Sequence, residues 1–167
     1  SWDQVLFLTD STSAVDLVQD PVNPEVLYAS MWERMRGLDY RRSGGESSGI
    51  YKTEDGGDTW FELTNGLPTH EFVGRIGLTI SHSNPEVLYA FYDKQMEPGD
   101  SYSYLGIFKT TNGGTLWQQT NDSNLYDMNA SFGWYFGQIH VDPSDENMVF
   151  ALGVDLVRST NGGETWQ

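Results

Sequence analysis

The hydrophobic positions of this chain fall into short runs that alternate with polar, turn-forming segments. Five runs are rich in β-branched and aromatic residues: VDLVQ from Val15, VLYASMW from Val26, RIGLTI from Arg75, VLYAFY from Val87 and YFGQIHV from Tyr135. Each run is bounded by Gly, Pro, Asn or Asp, which is typical of β-strands. No segment keeps the apolar period of about 3.6 residues that marks a helix, so the sequence predicts little helix.

Three glycine-rich octapeptides, which we call boxes, each end on a tryptophan. They read TEDGGDTW ending at Trp60, TTNGGTLW ending at Trp117 and STNGGETW ending at Trp166. Their spacing of roughly fifty residues is the mark of a repeat architecture. Each repeat runs through an apolar strand, a tight polar turn such as SNPE, an apolar strand, a variable loop, a short strand, the box and a last strand. Four short strands in a repeat of this length describe a propeller blade.

The repeats predict an all-β chain of about three four-stranded antiparallel blades, which together form a partial β-propeller. Residues 1–10 are predicted to be the last strand of a preceding blade, residues 11–64 and 65–120 two blades, and residues 121–167 an incomplete blade. Closed propellers usually have about four to eight blades. We therefore expect the remaining blades of a longer parent chain to complete the ring, with a second copy of this chain as the alternative.

The boxes have a structural explanation. Short Ser, Thr, Asp and Asn side chains can hydrogen-bond the turn's own backbone, and glycine adopts positive φ without cost. The tryptophan then returns to the core, where a ring of its size removes roughly 150–250 Å² from water. The structural residues expected on this basis are Thr53, Asp55, Gly57, Trp60, Thr110, Asn112, Gly114, Trp117, Ser159, Asn161, Gly163 and Trp166.

The boxes resemble the Asp-box, or BNR repeat, of sialidases, xyloglucanase-type glycoside hydrolases, sortilin-like receptors and the photosystem II stability factor. The segments NPEVLYA, GRIGLTISHSNPEVLYA and WYFGQIHVDP make nearly the whole chain similar to the bacterial secreted sortilin-like group, whose members are often named glycosyl hydrolases. Asn112, Asn161 and Leu116 depart from the Asp-box pattern. The resemblance implies a propeller fold and an extracellular or periplasmic location.

The order of the strands predicts which loops share a face. In an up-and-down blade, the turn between the first and second strands lies beside the turn between the third and fourth, and here both are tight. The opposite face carries longer loops: Glu33 to Ser48, Asp93 to Leu105, Thr64 to Val73 and Thr120 to Gly133. Function concentrates on variable loops held by a rigid scaffold. We therefore expect the binding surface on this second face, which we call the loop face.

The first of these loops is rich in arginine. Arginines can clamp a carboxylate or phosphate, although pairing with nearby acidic side chains is the favoured interpretation. Aromatic residues in the same loops suit a protein interface or a saccharide platform, but we expect Trp32 and Tyr135 in the core because they continue apolar strands. The candidate ligand-binding residues are Arg34, Arg36, Tyr40, Arg41, Arg42, Tyr102, Tyr104 and Trp134.

Catalytic chemistry is harder to derive from the sequence. Glycoside hydrolysis usually needs two carboxylates roughly 5–10 Å apart. The loops carry several, and spacing singles out no pair, so Glu33 and Asp93 are named only as candidates. The favoured hypothesis is a non-catalytic protein-binding, peptide-binding or scaffold segment of a larger secreted protein. The alternative is part of a glycoside hydrolase, sialidase-like or xyloglucanase-like, whose cleft lies on the loop face and takes a saccharide.

Charge and composition limit the partners. With 9 basic and 24 acidic residues, the formal net charge of −15 argues against nucleic acid and anionic membranes, and no apolar run is long enough for membrane insertion. The absence of cysteine excludes disulfides and thiolate metal sites. His70, His82 and His140 form no ligand motif, so we expect no metal or cofactor. Calcium in the acidic turns EDGGD and DPSDE is the alternative, although these turns lack regular ligand spacing.

Overall fold

The computed structural model describes residues 1–167. The regular structure is antiparallel β-sheet apart from one short 3-10 helix at Ser123–Leu125. The strands are β1 (Thr12–Gln19), β2 (Leu27–Glu33), β3 (Met35–Arg36), β4 (Arg41–Arg42), β5 (Gly49–Thr53), β6 (Phe61–Leu63), β7 (Val73–Ile80), β8 (Leu88–Lys94), β9 (Tyr104–Thr110), β10 (Trp117–Gln119), β11 (Gln138–Asp142), β12 (Asp145–Leu152) and β13 (Leu156–Ser159). The structure contains no helix with the length and hydropathy of a membrane span.

Three sheets follow one another along the chain, and each is a meander. The first has the order β1-β2-β5-β6, the second β7-β8-β9-β10 and the third β11-β12-β13, while β3 and β4 form a small separate hairpin. Beside β13, Gln167 exchanges two backbone hydrogen bonds with Arg158, of 2.8 and 3.0 Å. Meandering antiparallel sheets of this size are propeller blades, so the predicted all-β partial propeller is confirmed.

The second blade lies between the other two, and its strands β7, β8 and β9 are largely buried on both faces. Successive side chains of a strand point to opposite faces, and in β8 Leu88, Ala90 and Tyr92 pack toward the first blade. Tyr89 and Phe91 pack toward the third. This explains why VLYAFY is a continuous apolar run rather than an alternating one.

The amino-terminal segment 1–9 contains no strand, and Trp2, Val5 and Phe7 are exposed on it. Its assignment as the last strand of a preceding blade stays a prediction.

The boxes join the third and fourth strands of each blade and share one set of hydrogen bonds. In the first box, the Thr53 hydroxyl accepts the Gly57 N–H at 2.9 Å and donates to Asp55 Oδ1 at 2.7 Å, and Asp55 Oδ1 accepts the Thr59 N–H at 2.9 Å. The equivalent bonds measure 3.1, 2.8 and 3.0 Å in the second box and 2.8, 2.9 and 3.0 Å in the third. One geometry therefore serves all three sequences.

Departures from the Asp-box pattern change this geometry little. Asn112 and Asn161 accept through the amide oxygen as Asp55 does through its carboxylate. Leu116 removes a single bond, because it has no hydroxyl to match the one that Thr59 donates to Asp55 in the first box. The glycine in the equivalent position of each box has a φ of 103°, 88° or 92°, a region in which a side chain is strained.

Backbone contacts place the tight turns beside the boxes. The first glycine of the Gly-Gly pair in each box donates its N–H to the preceding turn: Gly56 to Glu25 O at 2.9 Å, and Gly113 to Glu86 O at 3.0 Å. The third box repeats this contact with Asn147. The turns and the boxes therefore share one face, as expected, which we call the box face.

The box tryptophans fasten neighbouring blades together. Trp117 and Trp166 are buried, and Trp60 is partly buried. The Trp117 N–H donates to Asn65 O, which follows β6 in the first blade, at 3.0 Å. At the next junction the Asn121 N–H donates to Gly163 O at 3.0 Å. The second and third blades are thus each tied through the box to the segment that ends the blade before.

Candidate functional site

The long loops meet on the loop face. The Gln95 N–H donates to Phe72 O at 2.8 Å, and Gln95 Oε1 accepts from the Ser43 N–H. The Ser103 N–H donates to Ala130 O at 2.8 Å. Loops from all three blades therefore form one connected surface.

Trp134 lies on this surface between two arginines. The guanidinium carbon of Arg34 is 5.4 Å from the Trp134 ring centroid, and that of Arg41 is 4.9 Å from it. Arg34 also covers the buried Trp32 ring at 4.9 Å, and the Trp32 indole N–H donates to Ser43 O at 2.8 Å. Trp32, Arg34, Trp134 and Arg41 thus form a continuous stack that ends at the exposed Arg41.

Most of the loop arginines have no acidic partner. Three ion pairs occur in the structure, and among them Arg42 alone of the four loop arginines takes part, at 3.6 Å from Glu33. Arg34, Arg36 and Arg41 make none. The favoured interpretation of this loop, internal pairing with acidic side chains, therefore holds for Arg42 only. The other three leave uncompensated positive charge on a strongly acidic chain.

An exposed apolar patch adjoins the stack. Phe132, Tyr135, Phe136 and Val154 are 36–66 % exposed, and together with Trp134 they line a concavity of about 450 Å³ that has no polar residue in its wall. The Tyr135 and Phe136 rings meet edge to face at 5.1 Å. We call Phe132, Trp134, Tyr135, Phe136 and Val154 the aromatic patch. Trp134 belongs to both the patch and the arginine stack.

The expected place of Tyr135 in the core is wrong, because this side chain is 66 % exposed. The run YFGQIHV is divided by Gly137, and the strand begins only at Gln138. Before that point the Tyr135 and Phe136 amides both bond Phe132 O, at 2.9 and 3.0 Å, which closes a turn. Trp32, by contrast, is buried as expected.

Two β-bulges set Asp93 under this surface. In β8, Tyr92 pairs with Ile76 and Lys94 with Val73, so Gly74 and Arg75 of β7 both lie opposite Asp93. The pairing of β8 with β9 is irregular at the same place. Bulges are common next to functional sites, where they redirect a side chain. Here they direct the Asp93 carboxyl inward, against Gly74 and Gly133.

The environment of Asp93 is unfavourable for a carboxylate. The residue is 1 % exposed, and neither carboxyl oxygen has a hydrogen-bond partner of good geometry. Burial raises the pKa of Asp93 to about 8, and the nearby Ser103 hydroxyl, Lys94 amide and Arg75 guanidinium only partly offset this. Asp93 is therefore protonated at neutral pH.

Glu33, the other catalytic candidate, is held within its own loop. Its Oε2 accepts the Ser47 hydroxyl at 2.8 Å and the Ser47 N–H at 3.3 Å, and its Oε1 faces Arg42. These contacts stabilise the fold of the loop. Nothing in them couples Glu33 to Asp93 as a catalytic pair.

The remaining candidates are dispersed. The Tyr104 hydroxyl donates to Asp122 at 2.6 Å, so this residue belongs to the packing between loops. Tyr102 is exposed and packs edge to face on Tyr126 at 5.3 Å. Arg36 and Tyr40 are exposed on the β3–β4 hairpin. Of the predicted ligand-binding residues, the structure brings together Arg34, Arg41 and Trp134.

Sequence reasoning missed part of the site. Phe132 and Phe136 could have been found from FGWYFG, because an aromatic run bracketed by glycines is typical of a turn rather than a strand. Val154 comes from a separate turn and gives no such signal. Arg75 was hidden inside an apolar strand. The bulge that pairs it with Asp93 has no mark in the sequence beyond Gly74.

The box face carries a different concavity, of about 440 Å³, between the second and third blades. Its wall is polar and dominated by amide side chains, with Leu116 as its one hydrophobic residue. Several of these amides already serve the boxes, as Asn112 and Asn161 do. No group of three or more His, Asp or Glu side chains is arranged to hold a metal ion.

Comparison with known proteins shows the fold. The sequence matches no protein-family model and no curated protein. The structure is similar to the GH74 xyloglucanase from Xanthomonas campestris, with a TM-score of 0.63, 17 % identity and coverage of 98 % of this chain and 23 % of that one. It is also similar to YCF48 bound to D1 peptide, with a TM-score of 0.60, 16 % identity and coverage of 94 % and 39 %. For YCF48 from Cyanidioschyzon merolae the values are 0.58, 16 %, 99 % and 39 %.

At these identities the similarity establishes a β-propeller and no particular activity. The chain spans less than half the length of each of these structures.

Proposed function

We propose that this chain is a non-catalytic β-propeller segment whose loop face binds a protein or peptide. The ligand we infer carries carboxylates beside aromatic or aliphatic side chains. One observation carries the proposal: two arginines without acidic partners, Arg34 and Arg41, lie against Trp134, which also belongs to an exposed aromatic patch. The formal net charge of −15 makes this local positive charge exceptional in the chain.

The arginine stack suits carboxylate recognition. A guanidinium that lies on an aromatic ring keeps its N–H edge free, and that edge bonds carboxylates in a bidentate manner. Arg34 and Arg41 are already held against Trp134. Less side-chain entropy is therefore lost on binding than for free arginines. The other acidic residues of the chain repel a ligand that carries carboxylates, but salt screens this repulsion beyond about 10 Å at 0.1 M.

The aromatic patch supplies the apolar half of the interaction. Contiguous exposed apolar surface marks interaction sites, and aromatic residues are frequent binding hot spots. The patch adjoins the stack through Trp134 itself. A single short segment can therefore place apolar side chains on the patch and carboxylates at the arginines. YCF48, a structural neighbour, has been solved with a D1 peptide bound, which supports peptide binding by a propeller of this kind.

The test is fluorescence anisotropy with a labelled peptide of about twelve residues that alternates Asp or Glu with Phe or Leu. A control peptide carries Lys at the acidic positions. We expect Arg41→Ala and Trp134→Ala each to weaken binding of the acidic peptide about tenfold or more, since one charge-assisted pair contributes about 1.5–3 kcal/mol. Arg158→Ala is the matched control, because it removes the same charge from β13. Equal binding of both peptides, or equal loss with Arg158→Ala, overturns the proposal.

The second candidate is a glycoside hydrolase, and Asp93 is the observation that favours it. A carboxyl whose pKa is raised to about 8 by burial has the character of a general acid. Its burial speaks against this role, because a 1 % exposed side chain does not reach a glycosidic oxygen. Hydrolysis of xyloglucan or sialosides by the full-length parent, abolished by Asp93→Asn with the fold intact, would favour the enzyme.

We further propose that the chain belongs among the Asp-box propellers, closest to the bacterial sortilin-like group, and that its parent acts outside the cytoplasm. The shared hydrogen bonds of the three boxes support the first part. Light scattering on this 18.8 kDa chain tests how the ring is completed. A closed oligomer favours a second copy, and a monomer favours further blades of a parent.

A further inference from the structure

Asp93 is in direct contact with the turn that carries the aromatic patch. A Cβ atom on Gly133 would collide with Asp93 Oδ1, so no atom separates the carboxyl from the backbone of this turn. Ser103 holds the start of the same turn, because its hydroxyl accepts the Gly133 N–H at 2.9 Å and donates to Ala130 O at 3.3 Å. The position of Gly133, and of Trp134 after it, thus depends on the charge state of the Asp93 carboxyl.

Arg75 holds the other end of the same turn. Its guanidinium donates to Phe136 O and to Tyr135 O, the latter at 3.4 Å. Arg75 lies in the β7 bulge opposite Asp93, and its positive charge acts on the Asp93 carboxyl although the two form no ion pair. The turn from Phe132 to Phe136 is therefore held between an acid that has no partner and an arginine that bonds carbonyls instead.

We propose that Asp93 is a positioning residue for the loop face: loss of its proton draws Arg75 away from the Tyr135 and Phe136 carbonyls and releases the aromatic patch. Neutral Asp93 fits the arrangement described here, which we call the closed site and in which Arg75 bonds the turn carbonyls. An uncharged carboxyl tolerates burial far better than a carboxylate. An ionised Asp93 needs a counter-charge or water. Moving Arg75 supplies the charge and breaks the contacts that order the turn. Only the consequence for binding rests on the proposed function.

The other charged groups around Asp93 are already engaged. Lys94, next to it in β8, is paired with Asp100 at 2.7 Å. Arg41, which lines a cavity of about 60 Å³ together with Asp93, is stacked on Trp134. On β9, the hydroxyl of Tyr104 donates to Asp122. Tyr135 of the turn itself is exposed. Arg75, on which the negative charge of Asp16 already acts more strongly than that of Asp93, is the cation left to respond.

The direction of the effect follows from the pKa. Burial raises the pKa of Asp93 to about 8. Asp93 therefore keeps its proton and the site stays closed at neutral pH, whereas in mild alkali Asp93 loses its proton and the site opens. If only the protonated form binds, apparent affinity scales with its fraction. That fraction is about a tenth at one pH unit above the pKa, so peptide affinity falls about tenfold between about pH 7 and pH 9.

The first test follows the turn without any ligand. In ¹⁵N-labelled chain, the amide signals of Gly133, Trp134 and Tyr135 are recorded from about pH 6 to pH 9.5. We expect them to titrate together with a midpoint near 8, and Asp93→Asn to hold them at their low-pH positions. Asp39→Asn is the matched control, because it removes an exposed loop-face carboxyl that takes part in no ion pair, and it leaves the titration in place. Signals that do not titrate, or that still titrate in Asp93→Asn, overturn the inference.

Arg75→Gln provides a second test that leaves Asp93 unchanged. The carboxyl carbon of Asp93 still titrates in this variant, but we expect the turn amides to stop following it, because the responding charge is gone. Amides that follow Asp93 as before contradict the role of Arg75.

Repeating the peptide titration at both ends of the pH range separates this inference from the proposed function. If the turn titrates but no peptide binds, the proposed function fails and the positioning role stands. If the peptide binds with the same affinity at both ends of the pH range, the proposed function stands and the positioning role of Asp93 fails.

Discussion

The box face repeats the same hydrogen bonds in all three blades, whereas the contacts of the loop face each occur once. On the box face, a hydroxyl and an Asp or Asn two residues later close the turn in every repeat. On the loop face, Trp134 stacks on arginines from a different blade, and Asp93 is buried without a partner. The first arrangement satisfies its polar groups locally. The second leaves polar and apolar groups available.

This difference separates stability from binding. A turn that closes through its own side chains needs no other part of the chain, so it tolerates exchange of Asp55 for an asparagine, as in the other two boxes. A surface assembled from four loops depends on every loop keeping its place. Substitutions on the box face should therefore change stability, and those on the loop face should change recognition.

The largest expected effect contrasts two tryptophans. Trp117→Ala removes a buried ring and should lower the free energy of unfolding by about 4 kcal/mol, the usual cost of such a cavity. Trp134→Ala, on a partly exposed ring, should cost about 1 kcal/mol or less of stability while weakening peptide binding about tenfold or more. Urea denaturation of both variants measures this contrast. Similar losses of stability would mean that the two faces are not separate in function.

Asp93 is the exception on the loop face, because it should affect stability strongly. Its pKa is raised to about 8, above its value in the unfolded chain, so the unfolded state binds fewer protons between these values and stability falls as pH rises. The slope is about 1.4 kcal/mol per pH unit and halves at the folded-state pKa, which gives a loss of about 2 kcal/mol from pH 6 to pH 8. Asp93→Asn should flatten this decline in chemical denaturation. A decline that persists in the variant refutes burial of Asp93 as its cause.

On the box face, Asp55 should act in the opposite direction. Hydrogen bonds from Thr59 and Thr53 lower the pKa of Asp55 to about 2, so its stabilising effect is complete above about pH 4 and is lost as pH falls toward 2. Asp55→Asn should remove this acid-side loss and leave stability at neutral pH close to the original. Asn112 and Asn161 already occupy the same position. Thermal unfolding of both proteins between about pH 2 and pH 5 measures the change.

The smallest effect is expected at Glu33. Glu33→Gln removes the ion pair with Arg42, whose side chain is partly exposed, but keeps an oxygen to accept from Ser47. Such pairs contribute about 0.5 kcal/mol, so stability should change little, and peptide binding should not weaken. A loss above about 2 kcal/mol in urea denaturation would show that the loop depends on this carboxylate.

The sequence was sufficient for the box face because its contacts join residues two to four positions apart. Thr53, Asp55 and Gly57 specify their turn by residue type alone. The same pattern recurs in all three boxes, so it is not a chance match. The loop face offers no such guide. Arg34 and Trp134 are far apart in the chain, and only the packing of the blades brings them together. The exposure of Tyr135 was misjudged for a related reason, since apolar character predicted a strand where two glycines make a turn.

The bonds between blades have a consequence for how such a chain changes over time. Trp117 to Asn65 and Asn121 to Gly163 are joined through backbone atoms, which every residue except proline can supply in full. Docking of one blade on the next thus makes few demands on the side chains at these points. When a repeat is duplicated, the new blade also carries the backbone groups that attach it to its neighbour. The duplicated blades then share the same backbone contacts between neighbours, while their loops can change and bind different ligands.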